Sequence, residues 1–123
     1  MFGKEAFFQG LRDLGYAPED RGDNRVAFAY TIRDGRFQGR TITIGIDVPL
    51  DFNVTCPPGP HVFPRLIQMN PQGSGNDRAA GSAFGEEWQY LSRPFRDKGD
   101  GWNRTSRDVK AYLRHVRQVL DTL

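Results

Sequence analysis

Two stretches of strict alternation constrain this chain more than anything else in it. Val26, Phe28, Tyr30 and Ile32 are separated by small or polar residues, and Ile42, Ile44, Ile46 and Val48 alternate with Thr41, Thr43 and Asp47. A period of two puts each apolar set on one face of a strand. Asp34-Gly35 is a turn signal, and the short connection Arg36 to Gly39 makes the pair an antiparallel hairpin.

Helices are expected on both sides of this hairpin. Phe7, Phe8, Leu11 and Leu14 recur at spacings of three and four, with Lys4, Glu5, Arg12 and Asp13 directed elsewhere. Gly15 suits a left-handed C-terminal cap and Pro18 stops the helix, leaving a polar loop from Glu19 to Asn24. At the other end, Val109, Tyr112, Leu113, Val116, Leu120 and Leu123 form one apolar stripe. Thr105 followed by Asp108 reads as a capping box opening that helix, with Asp in place of the usual Glu or Gln. Helix, hairpin and helix make an α+β domain, and 123 residues suit one domain, spanning 1–123.

The middle of the chain is ruled by proline. Six of the eight prolines lie between Pro49 and Pro71, densest at Pro57-Pro58-Gly59-Pro60, so this part is a stiff turn and not a central strand. His61-Val62-Phe63 is expected as a third strand at a sheet edge. Gln68 to Gly85 has little periodicity and reads as a long functional loop. Trp88, Tyr90 and Leu91 pin it to a core, and Trp102 anchors the approach to the last helix.

Composition excludes several classes. No apolar run reaches the roughly 18 residues of a membrane span, and the N-terminal stretch does not read as a signal peptide. A single cysteine, Cys56, rules out an intrachain disulfide scaffold, so a cytoplasmic location is expected. The net charge of +2 is too small to imply a polyanionic partner. From Arg93 onward there are eight basic and four acidic residues, and Arg107, Lys110, Arg114 and Arg117 give the last helix a basic face. Such a face can dock an acidic partner, but no nucleic-acid recognition motif accompanies it. Neither a nucleic-acid nor a membrane partner is expected.

The familiar catalytic signatures are missing. There is no glycine-rich phosphate loop, no paired cysteines and no His-x-x-x-His helix. His61 and His115 have no partners at metal-ligand spacing, so no metal and no cofactor is expected. A self-contained hydrolytic triad is equally unsupported, because no nucleophile elbow is present.

The order of elements and several motifs resemble a known family. Ile46-Asp47-Val48-Pro49-Leu50-Asp51-Phe52 followed by Pro57-Pro58 is similar to a strand leading into a "YPxxPP" turn. Trp88-Gln89-Tyr90-Leu91-Ser92-Arg93 is similar to a "WQxWSR" run, with Leu91 replacing an aromatic. Together with Trp102 and the helix YLRHVRQVL (Tyr112 to Leu120), these resemble the short bacterial ubiquitin-conjugating-enzyme-like proteins (UBC fold, prokaryotic family E type). The motifs cover Ile42 to Leu123; the N-terminal third matches in element order alone.

The resemblance implies a UBC-like fold: N-terminal helix, antiparallel β-meander, long active-site loop and C-terminal helix. It implies an acyltransferase that accepts an activated ubiquitin-like C-terminus from an adenylating activating enzyme and passes it on. An associated peptidase or ligase is a further implied partner. Lys4, Glu5, Arg12 and Asp13 on the first helix are the implied docking residues for the activating enzyme. The departures are specific. The His-Pro-Asn turn of the eukaryotic family is absent, and Cys56 lies before the Pro-Pro turn, away from the family's cysteine position.

At that position stands Ser82, six residues before Trp88, with Asn76 six residues ahead of it. Asn76 stands roughly where the resemblance puts the family's oxyanion-stabilising asparagine, a role worth about 2.7–4 kcal/mol elsewhere. Gly81 and Gly85 leave room for a tail to approach the backbone. Ser82 is therefore expected to carry the acyl group as an oxyester. A serine hydroxyl needs a base, and His61, Asp77 and the Glu86-Glu87 pair are the candidates, Asp77 and His61 foremost. Cys56 is the alternative nucleophile. The rival reading is a non-catalytic UBC-fold module that binds a ubiquitin-like protein or partner enzyme.

Overall fold

A computed structural model describes residues 1–73, 78–93 and 100–123. The chain is α+β: one six-stranded antiparallel sheet with an N-terminal and a C-terminal helix. Helix α1 (Gly3–Asp13) is followed by β1 (Glu19–Asp20), β2 (Arg25–Thr31), β3 (Thr41–Asp47) and β4 (His61–Phe63). Then come β5 (Ala79–Ser82), β6 (Gly85–Leu91), the short α2 (Asp100–Asn103) and α3 (Val109–Asp121). The spatial order is β1-β2-β3-β4-β6-β5. Among the described residues no helix is long and apolar enough to cross a membrane.

The alternation read from the sequence builds the inner face. Val26 pairs with Ile46, Phe28 with Ile44 and Tyr30 with Ile42, and Ile44 in turn lies opposite Val62. These residues form one buried cluster with Phe7 and Leu11 of α1 and Val109, Tyr112, Val116 and Leu120 of α3. Gly15 ends α1 as expected. At φ +93° it allows its N–H to reach the Arg12 carbonyl while Tyr16 N–H reaches that of Leu11, the two bonds of a Schellman cap.

Four expectations need correction. His61-Val62-Phe63 is not an edge strand: β4 lies between β3 and β6. Its prolines bracket the strand instead of entering it, so all three residues keep their N–H groups. The loop expected from Gln68 to Gly85 ends in a hairpin, β5 and β6, with Asn70 also bridged to Ala79. The polar loop after α1 contributes β1, whose Glu19 and Asp20 pair with Ala27 and Val26. Finally, the N-cap of α3 is Asp108, whose side chain accepts from Ala111 N–H at 2.9 Å. Thr105 instead accepts from Arg107 N–H at 2.9 Å in a tight turn before the helix.

The proline-rich turn is tied down by two core aromatics. Trp102 donates from its indole to the Asn53 carbonyl at 3.0 Å, and the Tyr112 hydroxyl donates to that of Pro58. Gln89, fully buried in β6, accepts from Leu66 N–H at 3.1 Å and donates to Ile67 O at 2.7 Å. The chain before β4 is thus tied to α2 and α3, and the chain after it to β6.

Replacing Asp108 with Ala removes the N-cap of α3 and is expected to lower stability by about 1 kcal/mol. Asp108→Asn retains an acceptor and is expected to lose much less. Urea denaturation of both variants checks this.

Candidate active site on the open face of the sheet

Residues of opposite parity point to the face that the helices leave uncovered. In register they are Arg25 with Asp47, Gly45 with His61, Thr43 with Phe63, and His61 with Tyr90. Ser82 closes β5 opposite Gly85, at a two-residue turn made by Ala83 and Phe84. Gly85 has φ +154°, and a Cβ there would lie 2.9 Å from the Trp88 ring, so turn and packing both demand glycine. Its role is structural, whereas Gly81 is exposed with open space beside it.

The turn folds Phe84 back over the sheet. Its ring lies over Gly45, where a Cβ would come within 2.6 Å of the ring. The glycine in the middle of β3 is therefore what lets the hairpin close. Phe84 also stacks against His61 at 4.7 Å and Trp88 at 5.0 Å, and Tyr90 meets His61 from another side at 4.7 Å. Such ring pairs contribute about 0.5–1.5 kcal/mol each beyond area burial. Trp88 thus anchors this outer cluster with Phe63, while Trp102 belongs to the main core.

Inside the cluster, His61 is only 6% exposed and has a polar partner on each side. Its Nδ1 is 2.6 Å from Ser82 Oγ, and its Nε2 is 3.4 Å from Asp47 Oδ2. A carboxylate can only accept, so it fixes the tautomer with the proton on Nε2. Nδ1 then offers a lone pair to the Ser82 hydroxyl. Arg25 Nε donates to the other Asp47 oxygen at 3.0 Å, completing an Arg25–Asp47–His61–Ser82 chain. Phe84 N–H donates to Ser82 Oγ at 3.0 Å and fixes the orientation of the hydroxyl.

Burial holds the His61 pKa below its ordinary value of 6.5; Asp47, by charge and hydrogen bond, opposes the shift without overcoming it. The ring is neutral at neutral pH, the state a general base requires.

The sequence offered no support for a self-contained triad, whereas the fold brings three such side chains together. Asp47, His61 and Ser82 converge, and a β-hairpin turn presents the serine where a strand-to-helix elbow does so in other folds. Of the proposed bases, His61 is the one against Ser82. Glu86 and Glu87 are exposed on β6, and Asn76 and Asp77 lie outside the described residues. Cys56 is half-buried and desolvation pushes its thiol up to about 12, so almost no thiolate exists at neutral pH.

On α1, Glu5, Arg12 and Asp13 are exposed, Asp13 accepting from Gln9 at 2.8 Å. Lys4 is instead engaged with Asp20 at 2.9 Å and with the Asp23 carbonyl. Asp47 and Phe84 were not among the candidates. Asp47 was visible as the acidic residue facing away from the isoleucines of its strand, but its meeting with His61 depends on a register that sequence spacing does not carry. Comparison with protein-family models, curated proteins and solved structures finds no match to this chain.

The depressed pKa sets a pH dependence. As pH falls below about 6.5, the unfolded chain takes up a proton at this position that the folded one refuses. Stability is expected to be full above that pH and to decline as pH falls toward the folded-state value of His61. His61→Gln should flatten this decline in denaturation curves measured at a series of pH values. Removing the Phe84 ring readmits water, so Phe84→Ala should move the His61 pKa up toward 6.5, read by NMR titration of the imidazole.

Proposed function

We propose that this protein is an acyl carrier of ubiquitin-conjugating type, with Ser82 as nucleophile. The observation that carries the reading is the 2.6 Å contact between Ser82 Oγ and Nδ1 of the buried His61, backed by Asp47. The UBC-like resemblance supplies the acyl group, a ubiquitin-like C-terminus activated by an adenylating enzyme. The α+β order of elements is compatible with it.

In this mechanism His61 Nδ1 takes the Ser82 proton as Oγ attacks the activated carbonyl. Asp47 stabilises the resulting imidazolium through Nε2–H, the Phe84 N–H holds Oγ in place, and the negative charge develops on the carbonyl oxygen of the tail. The activating group leaves with the proton from His61, which restores the neutral ring, and the tail remains on Ser82 as an oxyester. An acceptor amine or hydroxyl then attacks the ester carbonyl, and His61 Nδ1 takes its proton and passes it to Oγ as the bond between Oγ and the carbonyl carbon breaks. The ring is used in the opposite sense from the serine-protease arrangement, where Nε2 faces the serine. Proton transfer requires only that one nitrogen face each partner, and both do here.

A fluorophosphonate probe reports an activated serine without the cognate partners. Intact mass is expected to show one stoichiometric adduct in the wild type and in Cys56→Ala, and none in Ser82→Ala. His61→Ala is expected to slow labelling by roughly 10²–10⁴-fold, and Asp47→Asn to slow it as well. With an activating enzyme and its ubiquitin-like protein, the product should resist thiol reductant and yield to hydroxylamine. Absence of labelling in folded wild-type protein would leave the non-catalytic binding module as the better reading.

A further inference from the structure

Between the end of α1, the end of β2 and the flank of α3 lies a cavity of about 250 Å³ that shares no residue with the Ser82 site. Tyr16 and Tyr30 form part of its wall, and four cations surround it: Arg33, Lys110, Arg114 and Arg117. A second cleft of about 570 Å³ shares Tyr16, Tyr30 and Arg33 and continues past Gln38 and Thr41. The two form one groove, with a cationic end and a polar, tyrosine-lined end.

The cations are poorly compensated. Lys110, Arg114 and Arg117 follow one another at spacings of four and three along α3, an arrangement in which like charges repel. Arg33 adds a fourth charge from the strand side. Arg117 is paired with Asp121 at 3.4 Å, at the edge of the groove. Among the described residues, Arg33, Lys110 and Arg114 have no carboxylate within ion-pairing distance. Charges of one sign gathered over apolar ring walls focus the field on the groove and favour a multiply charged anion.

We propose that this groove binds a small polyphosphate-bearing molecule. Arg33, Lys110, Arg114 and Arg117 take the phosphate oxygens, and the adjoining cleft beside Tyr16 receives whatever the phosphates are attached to. Arginine presents paired donors that match phosphate geometry, and three of the four cations are arginines.

Calorimetric titration of the 123-residue chain with inorganic tripolyphosphate, ATP and adenosine tests this. Tripolyphosphate and ATP are expected to bind, with affinity falling as salt rises, and adenosine is expected not to. Arg114→Glu and Arg33→Glu, on opposite walls, should each weaken binding by about tenfold or more. Arg104→Glu makes the same charge change outside the groove and should alter affinity less than about twofold. Tighter binding of ATP than of tripolyphosphate assigns the ligand to the nucleotides, and equal binding assigns it to inorganic polyphosphate. Circular dichroism confirms that each variant is folded. The proposal is overturned if neither phosphate binds, if Arg104→Glu weakens binding as much as the groove variants, or if a glutamate-rich peptide binds more tightly than tripolyphosphate.

Discussion

An imidazole taken out of water must find a partner for each of its nitrogens, and the position of His61 makes that requirement govern the open face of the sheet. His61 stands in β4, a three-residue strand that holds β3 and β6 together, so it cannot swing out to solvent without opening the middle of the sheet. Its nitrogens must be served from strands on either side. Asp47 serves one from the end of β3, and Ser82 serves the other from the tip of the β5–β6 hairpin. The same contacts satisfy a buried polar group and align a base with a hydroxyl. Structural need and catalytic capacity therefore coincide in one set of bonds.

The two faces of the sheet solve the problem of burial differently. The inner face is covered by helices, with aliphatic side chains from β2 and β3 packed against Phe7, Leu11 and the stripe of α3. Among the described residues no helix lies over the outer face, where aromatic side chains of the strands and of the β5–β6 turn pack together. Phe84 supplies the cover for His61, and it reaches that position because Gly45 opposes it with no side chain. Phe84 lies over His61, whose pKa burial lowers, while its own N–H, at the other end of the residue, binds Ser82 Oγ. One turn residue thus helps to bury the imidazole and holds the Ser82 hydroxyl beside it.

Much of the framework was legible because it rests on local rules. Alternation at Val26 to Ile32 and Ile42 to Val48 gave the correct faces, and Gly15 gave the end of α1, since periodicity and capping depend on residues a few positions apart. What the sequence hid was pairing between distant segments. His61 and Ser82 were recognisable as candidates, but nothing in their spacing of 21 residues says that one strand passes between theirs. Asp47 was hidden for the same reason. The proline count around β4 misled in the other direction: the density of Pro57, Pro58, Pro60 and Pro64 suggested an edge, whereas three proline-free residues suffice for a central strand. Thr105 and Asp108 are both acceptable caps, and the choice between them was made by the turn at Arg107, whose positive φ of 53° ends the preceding segment.

The placement of Ser82 also bears on the kind of acyl group it suits. The serine is half-buried at a hairpin tip, with Gly81 and Ala83 exposed on either side and open space at the Gly81 Cα. A nucleophile so placed is reached along the edge of the sheet, a path open to an extended protein tail whose body stays outside. His61, by contrast, is sealed beneath Phe84 and beside Tyr90, where the imidazolium of the proposed mechanism would have Asp47 at 3.4 Å as its counter-charge. On the proposed carrier reading, an amine attacks the ester with its own lone pair and gives up its proton afterwards, whereas water needs the base as it attacks, and His61 is sheltered from both. On that reading, a half-buried serine beside a buried histidine disfavours hydrolysis more than transfer to an amine.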